Sequence, residues 1–240
     1  MTFDKFPLAG DYPSTATREA VQRVWDTAHQ TAKVNRGDEY NEAHVIRHNM
    51  EELYFLYDLA RGEYDTLDGY IFQAGVFCGG SACAMALGLK EARNANKPLV
   101  AVDVFKAAGA NVFPEDKAHW AFIEARQNMI ALGLEEQMCL GMCSDIAVAP
   151  LFRPHFRIIM IDSSHAYNHT LKELVAMTPL VVKNGFMVLH DYYETHCGVK
   201  QAVDEYFDSY DKRQFQIYDF ERPVHDTSNR FIVVKFEDGL

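Results

Sequence analysis

Residues 70–91 read YIFQAGVFCGGSACAMALGLKE: an apolar run at Tyr70-Ile71-Phe72, a loop carrying Gly75, Gly79 and Gly80, then a helical segment expected over 80–95. The same alternation recurs downstream. Apolar runs at Leu99-Val100-Ala101-Val102, Met138-Cys139-Leu140, Arg157-Ile158-Ile159-Met160-Ile161 and Phe186-Met187-Val188-Leu189 are separated by helical patterns over 115–132 and 167–181, and a further helix is expected over about 199–207. Strands that are apolar throughout are buried on both faces, which means a parallel sheet covered by helices. The last two runs, Gln214 to Phe220 and Arg230 to Phe236, have nine residues and no helix between them, so they pair as antiparallel neighbours. The expected fold class is therefore α/β, a doubly wound sheet of five parallel strands closed by a terminal antiparallel hairpin, seven strands in all.

Upstream of Asp68-Gly69 the periodicity is helical. Ser14 can cap a helix with Val21, Val24, Trp25 and Ala28 on one face that runs out near Asn35-Arg36-Gly37. A second helix is expected from about Tyr40 to Arg61. The division expected is a helical segment over 1–68, serving as lid or oligomerisation contact, and a catalytic domain over 69–240. The chain has 240 residues, 23 basic against 34 acidic side chains and a formal net charge of -11. That balance repels a phosphate backbone and argues against nucleic acid as a partner. No run of about 18 apolar residues and no leader-like N-terminus is present, which argues against a membrane partner. Five cysteines without a CxxC pair fit reduced thiols in a cytoplasmic protein.

In a doubly wound sheet, ligands bind beyond the carboxyl ends of the strands. Those positions hold Gln73 to Ser81, then Asp103, then Gly141-Met142-Cys143-Ser144-Asp145, then Asp162-Ser163-Ser164-His165, and finally His190-Asp191-Tyr192. The glycine loop leads into a helix N-terminus, where backbone N–H groups can meet a ligand. A dinucleotide fingerprint would place glycine at position 77, where Phe77 stands, so a pyrophosphate fits poorly; Asp103 is placed to accept both hydroxyls of a ribose. An adenosyl ligand without a diphosphate satisfies both facts, the alternative being a tight turn plus a helix-capping Asp103. Asp162, His190 and Asp191, from two neighbouring strand ends, suit a divalent cation: magnesium for an all-oxygen set, manganese, iron or zinc if His190 ligates. The competing reading makes Asp162 a cap and turns His190 into the sheet. His165, three residues after Asp162, has an ordinary pKa suited to a general base.

These motifs together resemble the class I S-adenosylmethionine-dependent methyltransferases, in particular the small bacterial branch with the macrolide-sugar O-methyltransferases and the cephalosporin-biosynthesis methyltransferase. The resemblance covers about residues 69 to 236. It is carried by Gly75-Val76-Phe77-Cys78-Gly79-Gly80-Ser81, Ile161-Asp162-Ser163-Ser164-His165-Ala166-Tyr167, Pro179-Leu180-Val181 with Gly185, His190-Asp191-Tyr192 and Gly198-Val199-Lys200-Gln201-Ala202-Val203. It implies a Rossmann-like fold and S-adenosyl-L-methionine as cofactor, with the methionine part wrapped by Gln73, Gly75, Phe77, Gly79, Gly80 and Ser81. Asp103 would hold the ribose, the Cys143-Ser144-Asp145 turn would lie beside the adenine, and Asp162 would contact the cofactor. In metal-dependent members the positions of Asp162 and of the 190/191 pair hold magnesium and through it the substrate oxygen. In catechol O-methyltransferase the position of His165 is a catalytic lysine. Two departures stand out: Gln73 replaces an acidic residue, and the acidic pair is His190-Asp191.

The implied reaction moves a methyl group to a hydroxyl of a small molecule, such as a natural-product intermediate, with Mg2+ or Mn2+ acidifying the hydroxyl and His165 and Asp162 in the catalytic set. Alternatives are a metal-independent N-methyltransferase and a non-catalytic adenosyl-binding or partner-binding module; a nicotinamide-dependent dehydrogenase ranks last because of Phe77 and the hairpin. A homo-oligomer is expected through the N-terminal helices. In the expected second helix, His44 and His48 fall one turn apart, a spacing open to metal or acceptor but more ordinary for a solvated face.

Overall fold

The computed structural model describes residues 4–8, 12–62, 64, 67–92, 97–105, 119–153, 155–193, 198–220 and 231–237. The chain divides into two compact units, one made of Met1–Leu8, Leu67–Gly75 and Cys143–Leu240, the other of Ala9–Thr66 and Val76–Met142.

The first unit holds β1 (Asp4–Lys5), β2 (Tyr70–Ala74), β5 (Phe156–Ile161), β6 (Val181–Leu189), β7 (Phe215–Asp219) and β8 (Ile232–Phe236), hydrogen-bonded in the order β1-β7-β8-β6-β5-β2. Strands β2, β5 and β6 run parallel, and β8 is antiparallel to both β6 and β7. The terminal hairpin is thus as the sequence leads one to expect, with β8 inserted beside β6. The two-residue β1 pairs parallel with β7 at the edge and adds an eighth strand to the seven expected. Phe156–Ile161 is buried at every residue, as is the run Phe186 to Leu189 of β6. Phe72, Phe152 and Phe156 pack edge to face with centroids 5.1–5.9 Å apart. Short α5 (Asp145–Val148), α6 (Tyr167–Met177) and α7 (Val199–Asp208) complete this unit. The helix expected over 167–181 stops at Met177 because Thr178–Leu180 forms a 3-10 turn carrying Pro179, and β6 begins at once after it.

The second unit pairs β3 (Leu99–Asp103) parallel with β4 (Met138–Met142) and packs α1 (Thr15–Arg36), α2 (Met50–Arg61), α3 (Gly80–Glu91) and α4 (His119–Ala131). Ser14 caps α1 as expected, its hydroxyl oxygen accepting the Thr17 N–H at 3.1 Å. Helix α2 begins only at Met50, not near Tyr40. Asn49 and Glu52 form a reciprocal capping box there, with each side chain accepting the other's backbone N–H at 2.9 Å. Residues 37–44 form two 3-10 turns instead, so His44 and His48 do not share a helix face, and His48 is buried. The α2 residues Leu53, Phe55, Leu56, Tyr57 and Leu59 are fully buried. A Cβ at Gly88 of α3 would come 2.3 Å from the Tyr57 carbonyl oxygen, which is why the sequence has glycine at that crossing. Helices α3 and α4 lie within the expected 80–95 and 115–132, residues 93–96 and 115–118 falling outside the described residues.

Candidate active site

In the first unit the β2 end carries Gln73 and Gly75. Gln73 is fully buried and its Nε2 donates to the Gly75 carbonyl at 2.7 Å. Gly75 has φ 81°, and a Cβ there would lie 1.8 Å from the Asp162 carbonyl oxygen. Glycine at 75 is therefore demanded by the meeting of two strand ends, whatever ligand the loop receives.

In the second unit, Asp103 at the end of β3 gathers the loop that follows. Its Oδ2 accepts the N–H groups of Val76 and Phe77 at 2.8 and 2.9 Å, and its Oδ1 accepts the Phe105 N–H at 2.7 Å. Phe77 sits at φ 51°, the left-handed region a glycine would adopt without strain. The carboxylate thus holds a bulky residue in a glycine-like backbone conformation. A carboxylate offers about four acceptor directions, and the single N–H on Oδ1 leaves that oxygen able to take a hydroxyl. Gly79 (φ 88°) and Gly80 follow, with Ala125 Cα 3.1 Å from a Cβ at 79 and Ile46 side-chain carbons 3.0 Å from one at 80; Ser81 is buried in the first turn of α3.

Under this loop lies an ionic knot that the sequence reading missed. Arg36, at the end of α1, donates from Nε to Glu124 Oε1 at 2.7 Å, from Nη2 to Glu124 Oε2, and from Nη2 to Cys78 Sγ at 3.3 Å. Asn128 Nδ2 donates to the Cys78 carbonyl at 3.0 Å. The Arg36 and Glu124 side chains are 3% and 1% exposed. Burial and the nearby Glu124 push the Cys78 thiol well up, which favours a packed, protonated thiol over a thiolate.

Back in the first unit, backbone hydrogen bonds bring the β2, β5 and β6 ends together: the Asp162 N–H donates to the Ala74 carbonyl at 2.9 Å and the His190 N–H to the Ile161 carbonyl at 3.1 Å. The side chains converge accordingly. His190 Nδ1 is 3.2 Å from Asp162 Oδ1 and 3.0 Å from Asp191 Oδ2, while His165 Nε2 is 2.8 Å from the same Asp191 oxygen. Asp191 sits at φ 56°, a conformation Asp tolerates better than most residues. The hydrogen bond to Asp191 raises the His165 pKa above its ordinary value, outweighing burial. Burial alone would raise the Asp191 carboxyl, but bonds from His165 and His190 hold it well below the usual carboxylate range. The turn is fixed from behind by Tyr192, whose hydroxyl donates to Asp204 Oδ1 at 2.6 Å and accepts from Lys200 Nζ at 3.1 Å. The Gly198 N–H binds the His165 carbonyl at 2.7 Å. One ligand atom each from Asp162, His165 and Asp191 lie within 4.8 Å of one another. Two carboxylates with imidazole nitrogens on that scale suit a divalent cation of mixed N/O preference, manganese, iron or zinc, better than magnesium.

Of the remaining expected residues, Ser144 caps α5, its Oγ accepting the Ala147 N–H at 3.4 Å, and Cys143 is half-buried beside it. Asp145, His169 and Glu173 form another group the sequence reading did not single out, although His169-x-x-x-Glu173 has the one-turn spacing that places two side chains on one helix face. Burial, with Asp145 beside it, pushes the Glu173 carboxyl up to about 10, opposed by the Ser163 hydroxyl that donates to Oε1.

Residues 72–192, just over half of the sequence, match the family described as Methyltransferase domain. The chain belongs to that methyltransferase family. Solved structures agree in fold at low identity. The O-methyltransferase TomG of Streptomyces achromogenes, involved in tomaymycin synthesis and solved with S-adenosylmethionine, aligns at TM-score 0.62 and 11% identity over 89% of this chain and 90% of its own. An O-methyltransferase of Bacillus cereus solved with S-adenosylhomocysteine aligns at 0.58 and 13%, over 94% and 92%. An rRNA methylase of Streptococcus thermophilus aligns at 0.54 and 16%, over 79% and 97%. No curated protein matches the chain. No helix among the described residues of this methyltransferase is long and apolar enough to cross a membrane.

Proposed function

We propose that this chain is an S-adenosylmethionine-dependent O-methyltransferase acting on a hydroxyl of a small molecule. The observation that carries the reading is Asp103: a half-buried carboxylate at the carboxyl end of a parallel strand that holds the glycine loop by two N–H groups and keeps acceptor capacity on its other oxygen. In a methyltransferase-family chain that is the chemistry a ribose hydroxyl requires. Gln73, Gly75, Phe77, Gly79, Gly80 and Ser81 would line the methionine part, and Cys143 and Ser144 the adenine.

S-adenosylmethionine supplies an electrophilic methyl on a sulfonium. The acceptor hydroxyl must lose a proton as the carbon–oxygen bond forms, and His165, half-exposed and oriented by Asp191, is the group to take it. Asp191 fixes the ring and stabilises the imidazolium that results. Asp162, His190 and Asp191 would hold a divalent cation, whose contribution is to lower the pKa of the acceptor hydroxyl. The helical residues 1–68 would act as lid or homodimer contact and select the acceptor.

The rRNA methylase neighbour raises RNA as a second acceptor class. A net charge of -11 opposes it, since a polyanion is bound by neutralising its phosphates. The deciding experiment is calorimetric titration of S-adenosylhomocysteine into the full chain, with manganese and again after exhaustive chelation. Micromolar binding is the expected result; no binding in either condition would sink the reading. Methyl transfer to ribosomal RNA but to no hydroxylated small molecule would replace the acceptor class.

A further inference from the structure

The first unit contains a second set of metal-type ligands outside the Asp162/His165/His190/Asp191 cluster. Asp145 opens α5, while His169 and Glu173 lie one turn apart on α6. His169 Nε2 is 3.9 Å from Asp145 Oδ1 and 3.7 Å from Glu173 Oε1, and one ligand atom from each of the three falls within 4.8 Å of the others. Those separations are too long for hydrogen bonds. They are close to the spacing of donors around one ion, since ligands at about 2.0–2.2 Å from a tetrahedral zinc stand roughly 3.3–3.6 Å apart.

Unmet valence in the cluster points the same way. The Glu173 side chain is 0% exposed, and neither its Oε2 nor Oδ2 of Asp145, 8% exposed, receives an N–H or O–H donor from another residue; the two carboxyl groups face each other, an arrangement that needs a cation or a shared proton between them. Buried carboxylate oxygens are seldom left so. Among the described residues His169 is the one basic side chain within ion-pair reach of either, and it is partly open to solvent, which supplies an entry path. The Ser163 hydroxyl already donates to Glu173 Oε1, so the cluster is tied to the loop that begins at Asp162.

We propose that Asp145, His169 and Glu173 form a second divalent-cation site, of zinc, cobalt or manganese type, that clamps α6 to α5 and steadies the 162–165 loop. The set is one imidazole and two carboxylates, which matches borderline cations better than calcium or magnesium. Its cobalt readout does not use methyl transfer, so the proposal can stand or fall without the proposed activity.

The test is a cobalt titration of the chelated full chain carrying Asp162→Asn and Asp191→Asn, which together cripple the other cluster, followed by visible absorption and thermal melting. One equivalent should bind, raise the melting temperature and show no sulfur-to-cobalt charge transfer. Adding His169→Ala, a partly exposed position, or the near-isosteric Glu173→Gln should weaken binding by more than the roughly 10–100-fold that loss of an outer partner costs. Equal cobalt affinity with and without His169→Ala would overturn the proposal, as would binding through cysteine sulfur or no binding at all. Glu173→Gln also guards against misfolding, because its metal-free melting temperature reports on the fold separately from the metal-induced rise.

Discussion

Two groups of charged side chains in this chain are built on opposite plans. Arg36 and Glu124 are almost wholly buried, bonded to each other in a two-pronged fork, and extended to Cys78. Asp162, His165, His190 and Asp191 are graded from buried His190 and Asp191 to half-exposed His165, and a single Asp191 oxygen serves two imidazoles. The first group is a guanidinium matched to a carboxylate, so it carries no net charge and asks for no ligand. The second holds groups that can change protonation near neutral pH and face solvent at one edge. A closed ionic knot fixes a loop, whereas an open one leaves capacity for chemistry.

The largest effect that would sharpen this contrast is Arg36→Leu, which strands the Glu124 charge. A loss of about 3–5 kcal/mol in urea unfolding is expected, with much of it regained when Glu124→Leu is added. A loss below about 1 kcal/mol would mean the knot is dispensable. Next comes His165→Ala. On whichever hydroxylated acceptor a screen identifies, turnover should fall on the order of 10²-fold or more while S-adenosylhomocysteine affinity holds; parallel losses in both would make His165 structural. Smaller again is Cys78→Ala, which removes only a thiol acceptor. It should cost about 1 kcal/mol in thermal or urea unfolding, and a cost equal to that of Arg36→Leu would shift the weight of the knot onto the sulfur.

The smallest effect is a matter of direction. Because Asp191 raises the His165 pKa, their pairing stabilises the fold fully below the unfolded value near 6.5 and is lost as pH rises through the folded one. In Asp191→Asn the His165 midpoint, read from the imidazole proton resonance of chelated protein, should move to lower pH. An unmoved midpoint would dissolve the pair.

Much of the fold was legible because its signals are local. Continuous apolar runs marked the strands, Ser14 marked the start of α1, and the nine-residue gap marked the antiparallel hairpin. The stretch 40–49 misled the reading because helical spacing of apolar residues outweighed Asn49-x-x-Glu52, a capping signature that was present in the sequence. The strand β1 has only two residues and no periodicity to detect. The candidate site was legible as positions after strands, and the structure brings Asp162, His165, His190 and Asp191 together. Arg36 and Glu124, 88 residues apart, gave no comparable signal.

By itself the sequence determined the α/β order, the residues that end each strand, Asp103 among them, and the glycine loop after the first, since each depends on side-chain types within a few positions. Only the tertiary structure decided that β8 lies between β6 and β7, that Asp103 is engaged by three backbone N–H groups, and which carboxylates are paired. Pairing and burial depend on distances between residues remote in the chain. The energy of a charge is set by what surrounds it in space, and no local pattern carries that information.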